Sequence, residues 1–327
     1  MRKLILFTLF VFSVAFIFLN SSKLEGEKFD NRVYSSDTFY MIDEEYNFVD
    51  AKMNLVNTYY GLQQNFTDEE DILREQNIHS LLADIRLSSE EKILKLNSMG
   101  LVMLDIPYAK LNSDSSDVTI GTVSIYFDYY SNSWYLSGYG YWNNDAYCDD
   151  ADGSDNCDSI WRTAGEYGIW NGIGEKDNIG GRDSVGIYLQ DTSTAPVGLS
   201  LISGYGKFYN YDESKNIYSY NYTRDINPSS YGAVYTFQDY LEITDATYFL
   251  GILTSIDETY VAKKFYSSLR YSSQFSTYSG NAVVIYAHTW DETDINSIGL
   301  GKDSFSVSWD TTGDGWSAQS TSDTPFE

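Results

Sequence analysis

Apolar residues at Ile78, Leu81, Leu82 and Ile85 recur at i, i+3, i+4 and i+7, and Ile72 and Leu73 extend the apolar content upstream, a spacing that predicts a helix. Thr67, with Glu70 three residues on, forms a capping box at its start. Asp68, Glu69 and Asp71 add negative charge where the helix dipole favours it. A second helix is capped by Ser88 or Ser89, carries Glu90, Glu91 and Lys92 ahead of Ile93, Leu94 and Leu96, and stops at Gly100. Leu101 to Ile106 is then a short apolar run before Pro107, read as a strand leaving the helical part.

The periodicity changes after the polar stretch from Asn112 to Asp117, which has the composition of a linker. Val118, Ile120, Val123, Ile125 and Phe127 mark a strand pair or one interrupted strand. Ser131 to Ser133 form a turn, and Trp134 to Tyr141 return with alternating character. Further strands are expected at Val185 to Leu189, Gly204 to Tyr209, Tyr231 to Ile243, Tyr248 to Ile256, Tyr260 to Tyr271, Ala282 to Trp290, Ser304 to Trp309 and Trp316 to Ser320. Short strands parted by Gly, Ser, Asn and Asp turns predict a mainly β fold, an antiparallel β-sandwich of the jelly-roll kind preceded by a small helical region.

At the other end of the chain, Arg2 and Lys3 precede a nearly continuous apolar run from Leu4 to Leu19. That run fits a signal peptide and falls short of the ~20 residues needed to span a bilayer. The expected organisation is a signal over 1–22, a helical region over 23–111, a linker over 112–117 and a β domain over 118–327. With the signal removed, a secreted chain has no stable membrane span. No Ala-x-Ala triplet marks the cut and no Cys carries a lipid there, so a retained anchor is the alternative. The helical region has two readings, a removable pro-segment or an ordinary packed subdomain.

A formal charge of -26 argues against nucleic acid and anionic lipid as partners, since both attract basic surfaces. It fits solubility, or divalent cations bound outside the cell. Aromatic residues make up 17% of the chain and 30 of them are Tyr, a composition that favours strands. Tyr can pair across strands and cover sheet faces, or form a recognition surface.

The sharpest local feature is the loop from Cys148 to Cys157. Cysteines so close in an exported chain pair readily, and closing the loop stabilises by about 2.5 to 3 kcal/mol. Asp149, Asp150, Asp152, Asp155 and Asp158 gather carboxylates in and beside it, a repulsion that calcium would relieve. The segment resembles the Asp-rich loops of dockerins and thrombospondin type 3 repeats, with a departure: if Gly153 takes the turn position, Cys148 replaces the first Asp and Ser159 the closing Glu. A solvated acidic loop held by a disulfide is the other reading. Trp142, Trp161 and Trp170 flank this loop in polar, Gly-rich surroundings and are the candidates for an exposed stacking surface, suited to a carbohydrate or another cell-surface component.

Elsewhere the chemistry is sparse. Only His79 and His288 are present; His288 with Asp291 or Asp294 is a candidate base and orienter, and no zinc spacing exists. Paired carboxylates for glycoside hydrolysis depend on geometry that sequence does not show. Asp310 to Trp316 reads as a hairpin loop around Asp314-Gly315, and Asn171 to Gly181 as a flexible loop. No catalytic residue is assigned.

The signal, the leader with Ser88-Ser-Glu-Glu-Lys92 and Gly100, and a Tyr-rich β part containing Tyr286-Ala-His-Thr-Trp290 and a closing Phe326 resemble uncharacterised exported proteins of Gram-positive bacteria, some of them discussed as large bacteriocins. The resemblance implies secretion and antibacterial action, and assigns no functional residue. The function expected is binding at a cell surface, bacteriocin-like in one version. The alternative is a secreted carbohydrate-active enzyme using paired carboxylates.

Overall fold

The computed structural model describes residues 39–41, 48–105, 117–143, 176–190, 195–211, 217–221, 224–249, 252–289, 295–300, 305–309 and 315–320. Both predicted capping boxes form. Thr67 and Glu70 exchange hydrogen bonds at the start of a helix over Asp68–Leu82, and Ser88, not Ser89, does so with Glu91 ahead of a helix over Ser89–Ser98. These are α2 and α3; an unanticipated helix, α1, precedes them at Phe48–Thr58. Gly100 follows the C-cap of α3 at φ +90, in the left-handed region, where a Cβ would also strike Tyr130.

Among the described residues, thirteen strands form one hydrogen-bonded network and two more pair separately. Its spine is a long antiparallel hairpin of β10 (Gly232–Phe249) and β11 (Ile252–Tyr271). The far halves of this hairpin pair with each other, Tyr240 opposite Val261 out to Phe249 opposite Ile252. Their near halves part company. From Gly232 to Glu242, β10 pairs with β6 (Lys176–Leu189), and β6 in turn pairs with β12 (Ala282–Thr289). From Lys264 to Tyr271, β11 lies between β5 (Ser133–Trp142) and β7 (Leu201–Tyr211). Two irregularities mark the parting: the β6–β10 register shifts between Gln238 and Tyr240, and Ala262 holds φ 118, a conformation strained for a side chain with a Cβ.

The curled sheet encloses its core between these two branches. Phe208 of β7 stacks on Phe237 of β10 at 4.8 Å, and Phe265 of β11 on Tyr286 of β12 at 4.0 Å. Gly138 in β5 is needed here, because a Cβ would lie 2.1 Å from Val284 of β12. Such contacts could suggest two independent sheets, as expected of a jelly roll, but the hydrogen bonding is continuous from one branch to the other through β10 and β11. The fold is therefore mainly β and antiparallel, a curled half-barrel with a small helical region, and the two-sheet expectation is corrected to a single sheet bent on itself.

Helices cover the outer face of one branch. Ile78 and Leu82 of α2 and Leu96 of α3 pack with Tyr126, Tyr135, Tyr209 and Tyr266. Strand β2 (Leu101–Asp105) joins the sheet beside β4 (Ser124–Asp128), with β1 (Phe39–Met41) parallel to β2 at the edge. Strand β3 (Val118–Ile120) and β4 both pair with β5, which selects the interrupted-strand reading of Val118 to Phe127 and bears out the hairpin. On the other branch the ribbon of β13 (Ile295–Leu300) and β14 (Phe305–Trp309) covers the outside, where Val307 meets Val283, Ile285 and Ala287. Strands buried on both faces lose alternation, so β12 is buried along its whole length. Four strands escaped notice: β1, β8 (Ile217–Asn221), β9 (Arg224–Ser229) and β13.

Two loop expectations are corrected. Residues 176–181 of the expected flexible loop belong to β6. The strands flanking Asp310 to Asp314 do not form a hairpin, because β14 pairs with β13 and β15 (Gly315–Gln319) with β12.

Buried polar groups tie helices to sheet. Arg270 of β11 contacts Asp71 at 3.0 Å and Glu75 at 2.6 Å on α2. Lys52 of α1 is fully buried and donates to the carbonyls of Phe275 and Tyr278, in and just after a 3-10 turn at Ser273–Thr277. His79 of α2 lies 2.6 Å from Ser268 Oγ. Burial, then the charge of Arg270, lowers its pKa to about 3. The folded state thus disfavours its protonation, while an unfolded histidine takes a proton below pH ~6.5. Stability from this site is complete above that pH and is lost as pH falls towards 3, about 2 kcal/mol of it by pH 5. Urea titrations of the native protein and His79→Gln between pH 7 and 4 check this, with a flatter profile expected for the variant. Parallel profiles would refute it.

Candidate functional site

Three potential metal-ligating side chains converge at one place among the described residues: Asp183, Asp239 and His288, whose ligand atoms all lie within 4.8 Å of one another. They come from adjacent strands β6, β10 and β12. Asp183 is in phase with the core residues Val185 and Ile187, and Asp239 with Tyr235 and Phe237. All three are fully buried. The register shift between Gln238 and Tyr240 falls at Asp239 itself, the kind of local irregularity that re-aims a side chain.

Asp183 is held from several directions. His288 Nδ1 lies 2.9 Å from its Oδ1 and 3.0 Å from its Oδ2, the Thr289 amide donates to Oδ1 at 3.1 Å, and the Tyr286 hydroxyl donates to Oδ2 at 2.5 Å. Trp142 Nε1 donates to Tyr286 at 3.2 Å, and its ring meets His288 edge-on at 4.9 Å. Asp239 Oδ2 accepts from Tyr260 at 3.2 Å and lies 4.0 Å from His288 Nδ1. Burial, then the neighbouring Asp183, pushes the Asp239 carboxyl well above the usual carboxylate range. Tyr260 and Tyr286 are pushed up too, by burial first. The arrangement can share protons or neutralise a cation, but no substrate reaches a carboxylate that is fully buried.

Sequence reasoning missed both aspartates. Their signal is phase: each is an acid at an inward position whose in-phase neighbours, Val185 and Ile187 or Tyr235 and Phe237, are core residues. The partners expected for His288, Asp291 or Asp294, lie outside the described residues; its observed partner is Asp183, 105 residues away. Trp142 is corrected, since it is 2% exposed and serves the core rather than a stacking surface. Cys148 and Cys157, with Asp149, Asp150, Asp152, Asp155 and Asp158, lie outside the described residues, as do Trp161 and Trp170, the signal over 1–22 and Phe326. Most described tyrosines are buried and serve packing; Tyr60, Tyr139 and Tyr248 are exposed.

No family model matches the chain, and no curated protein does. Among solved structures, Clostridium perfringens delta-toxin aligns at 6% identity over 67% of this chain and 93% of its own, with a TM-score of 0.27. A structure titled pore forming protein aligns at 9% identity over 67% and 90%, TM-score 0.27. The Clostridium perfringens NetB toxin in the membrane inserted form aligns at 8% identity over 67% and 94%, TM-score 0.28. Similarity at this level establishes no shared fold, and nothing about activity follows from it.

A second candidate feature is the far half of the β10–β11 hairpin. Its pairs are mixed in character: Leu241 pairs with Tyr260, Ala246 with Ile256 and Tyr248 with Leu253, whereas Glu242 pairs with Thr259, Ile243 with Glu258, Asp245 with Asp257 and Thr247 with Ser255, and the register shifts between Ile243 and Asp245 and between Thr247 and Tyr248. Phe249 and Ile252 close the apolar end. Tyr248, near that end, is half exposed. No described helix is long and apolar enough to cross a membrane, a fact that leaves strands unaddressed.

Proposed function

We propose that this is a secreted protein acting at a cell surface, and that its working element is the far half of the β10–β11 hairpin. The single observation that supports this is the end of the hairpin, where two successive cross-strand pairs are apolar, Tyr248 with Leu253 and Phe249 with Ile252, and Tyr248 is half exposed. Each strand there is long enough for the ~9–11 residues with which a tilted strand crosses a bilayer. A lone hairpin leaves open edges that hydrocarbon does not tolerate, so insertion requires several copies to close a ring of strands. The curled half-barrel body stays outside as the platform, and antibacterial action is one version of this activity. With a net charge of -26 the approach is apolar rather than electrostatic, so uncharged lipid is favoured over anionic lipid.

The test is dye release from phosphatidylcholine vesicles and from intact bacterial cells, with the native protein and a double variant Ala246→Asp/Ile256→Asp at one cross-strand pair. A charge on the lipid face at the bilayer centre costs about 2–4 kcal/mol for Arg or Lys and less for Asp, so with two acids at one pair release is expected to fall about tenfold while the circular dichroism spectrum is unchanged. No release from either target, or equal release by the variant, would overturn the proposal. The carbohydrate-active alternative loses its best carboxylate pair, because Asp183 and Asp239 sit in the core.

A further inference from the structure

The buried trio carries a reading of its own, independent of the hairpin. Asp183 and Asp239 put two carboxylates beside one imidazole within a space whose ligand atoms are all less than 4.8 Å apart, walled by Trp142, Tyr260 and Tyr286. Two ionised carboxylates in an apolar core are costly without neutralisation. The hydrogen bonds supplied by the protein are also lopsided: Asp183 receives amide, hydroxyl and imidazole contacts, whereas Asp239 Oδ1, fully buried, has no hydrogen-bond partner among the described residues. A carboxylate oxygen so placed needs either a proton or a cation.

We propose that Asp183, Asp239 and His288 bind a divalent transition-metal cation, Zn2+ by the character of the ligands, taken up as the chain folds. One imidazole nitrogen and two carboxylate oxygens are a ligand set of the zinc class, whereas Ca2+ demands six to eight oxygens, which this apolar enclosure does not supply. A doubly charged cation, two carboxylates and a neutral imidazole sum to zero charge, the balance a dry core favours. Binding requires the tautomer of His288 with its proton on Nε2, so the hydrogen bond from Nδ1 to Asp183 is given up and the Nδ1 lone pair turns to the ion. Each carboxylate already has an orienting partner in the layer behind it, Tyr286 and the Thr289 amide for Asp183 and Tyr260 for Asp239. The Trp142 edge fixes the plane of the imidazole. The register shift at Asp239 and the strained Ala262 lie beside this site, where β10 leaves β11, so the cation would pin the branch point of the sheet.

The test is refolding of the secreted chain from denaturant with zinc chloride present, desalting, and determination of metal per chain by mass spectrometry. Native protein is expected to retain one zinc per chain, and Co2+ in its place to give the visible bands of a low-coordinate site. Asp239→Asn and His288→Gln are each expected to reduce retained zinc by about tenfold or more. Asp150→Asn/Asp152→Asn, in the acidic loop, leaves retention unchanged. Native protein that retains no zinc, loss of zinc in the acidic-loop variant alone, or equal retention in Asp239→Asn would overturn the assignment. Because the first outcome is read on the unmodified chain, the proposal stays testable even if a variant fails to fold.

Discussion

Asp128→Ala is expected to lower the unfolding free energy by about 3–5 kcal/mol. Asp128 is fully buried at the end of β4 and receives both terminal nitrogens of Arg74, at 2.5 and 2.7 Å. It also accepts the amides of Tyr130 and Ser131, at 3.1 and 3.3 Å, and the hydroxyl of Ser131. Removing the carboxylate strands a guanidinium that is only 11% exposed and frees two turn amides, and an uncompensated buried charge is the costly case. The converse also holds. Arg74→Met/Asp128→Leu removes both charges together and is expected to recover much of the loss, since apolar replacements of buried ion pairs are often neutral. Urea midpoints for the three proteins decide it. A loss under about 1 kcal/mol in Asp128→Ala would show that water reaches the pair and that the helices do not lock the β4 turn.

Removing everything before Asn112 is expected to abolish cooperative folding altogether. That cut takes away α1, α2, α3, β1 and β2, and with them the cover over Tyr126, Tyr135, Tyr209 and Tyr266. It also leaves Arg270, 4% exposed, without Asp71 and Glu75. Each large side chain newly exposed costs roughly 1.5–3 kcal/mol, and a domain has only about 5–15 kcal/mol in total. Thermal unfolding and near-ultraviolet circular dichroism of the fragment starting at Asn112 provide the measurement. A sharp transition like that of the longer chain would support a removable pro-segment. Its absence makes the helices part of the working molecule, whether or not the backbone is nicked near the linker.

Local order was readable wherever neighbours in sequence settle it. The capping boxes at Thr67 and Ser88, the stop at Gly100 and the β4–β5 hairpin depend on contacts within a few residues, so residue identity alone fixes them. The apolar stripe at Ile78, Leu81, Leu82 and Ile85 outran its helix, which ends at Leu82, because Ile85 packs from the following turn. Ile72 and Leu73 stay exposed for a related reason: they lie off the face that Ile78 and Leu82 present to the sheet. Strands with side chains buried on both faces, such as β12, gave a run without period and so no hint of their partners.

What the chain by itself determined is its β character, its helical leader and the turns between close neighbours. Tertiary structure alone decided that one hairpin feeds both branches of the sheet, and that Asp183, Asp239 and His288 meet. Those outcomes depend on strand partners dozens of residues apart, and pairing energies of that kind are carried by the backbone, which every sequence shares. An acid in phase with core residues is the one trace such a meeting leaves in the sequence, and it says that something must neutralise the charge without saying where the partner lies.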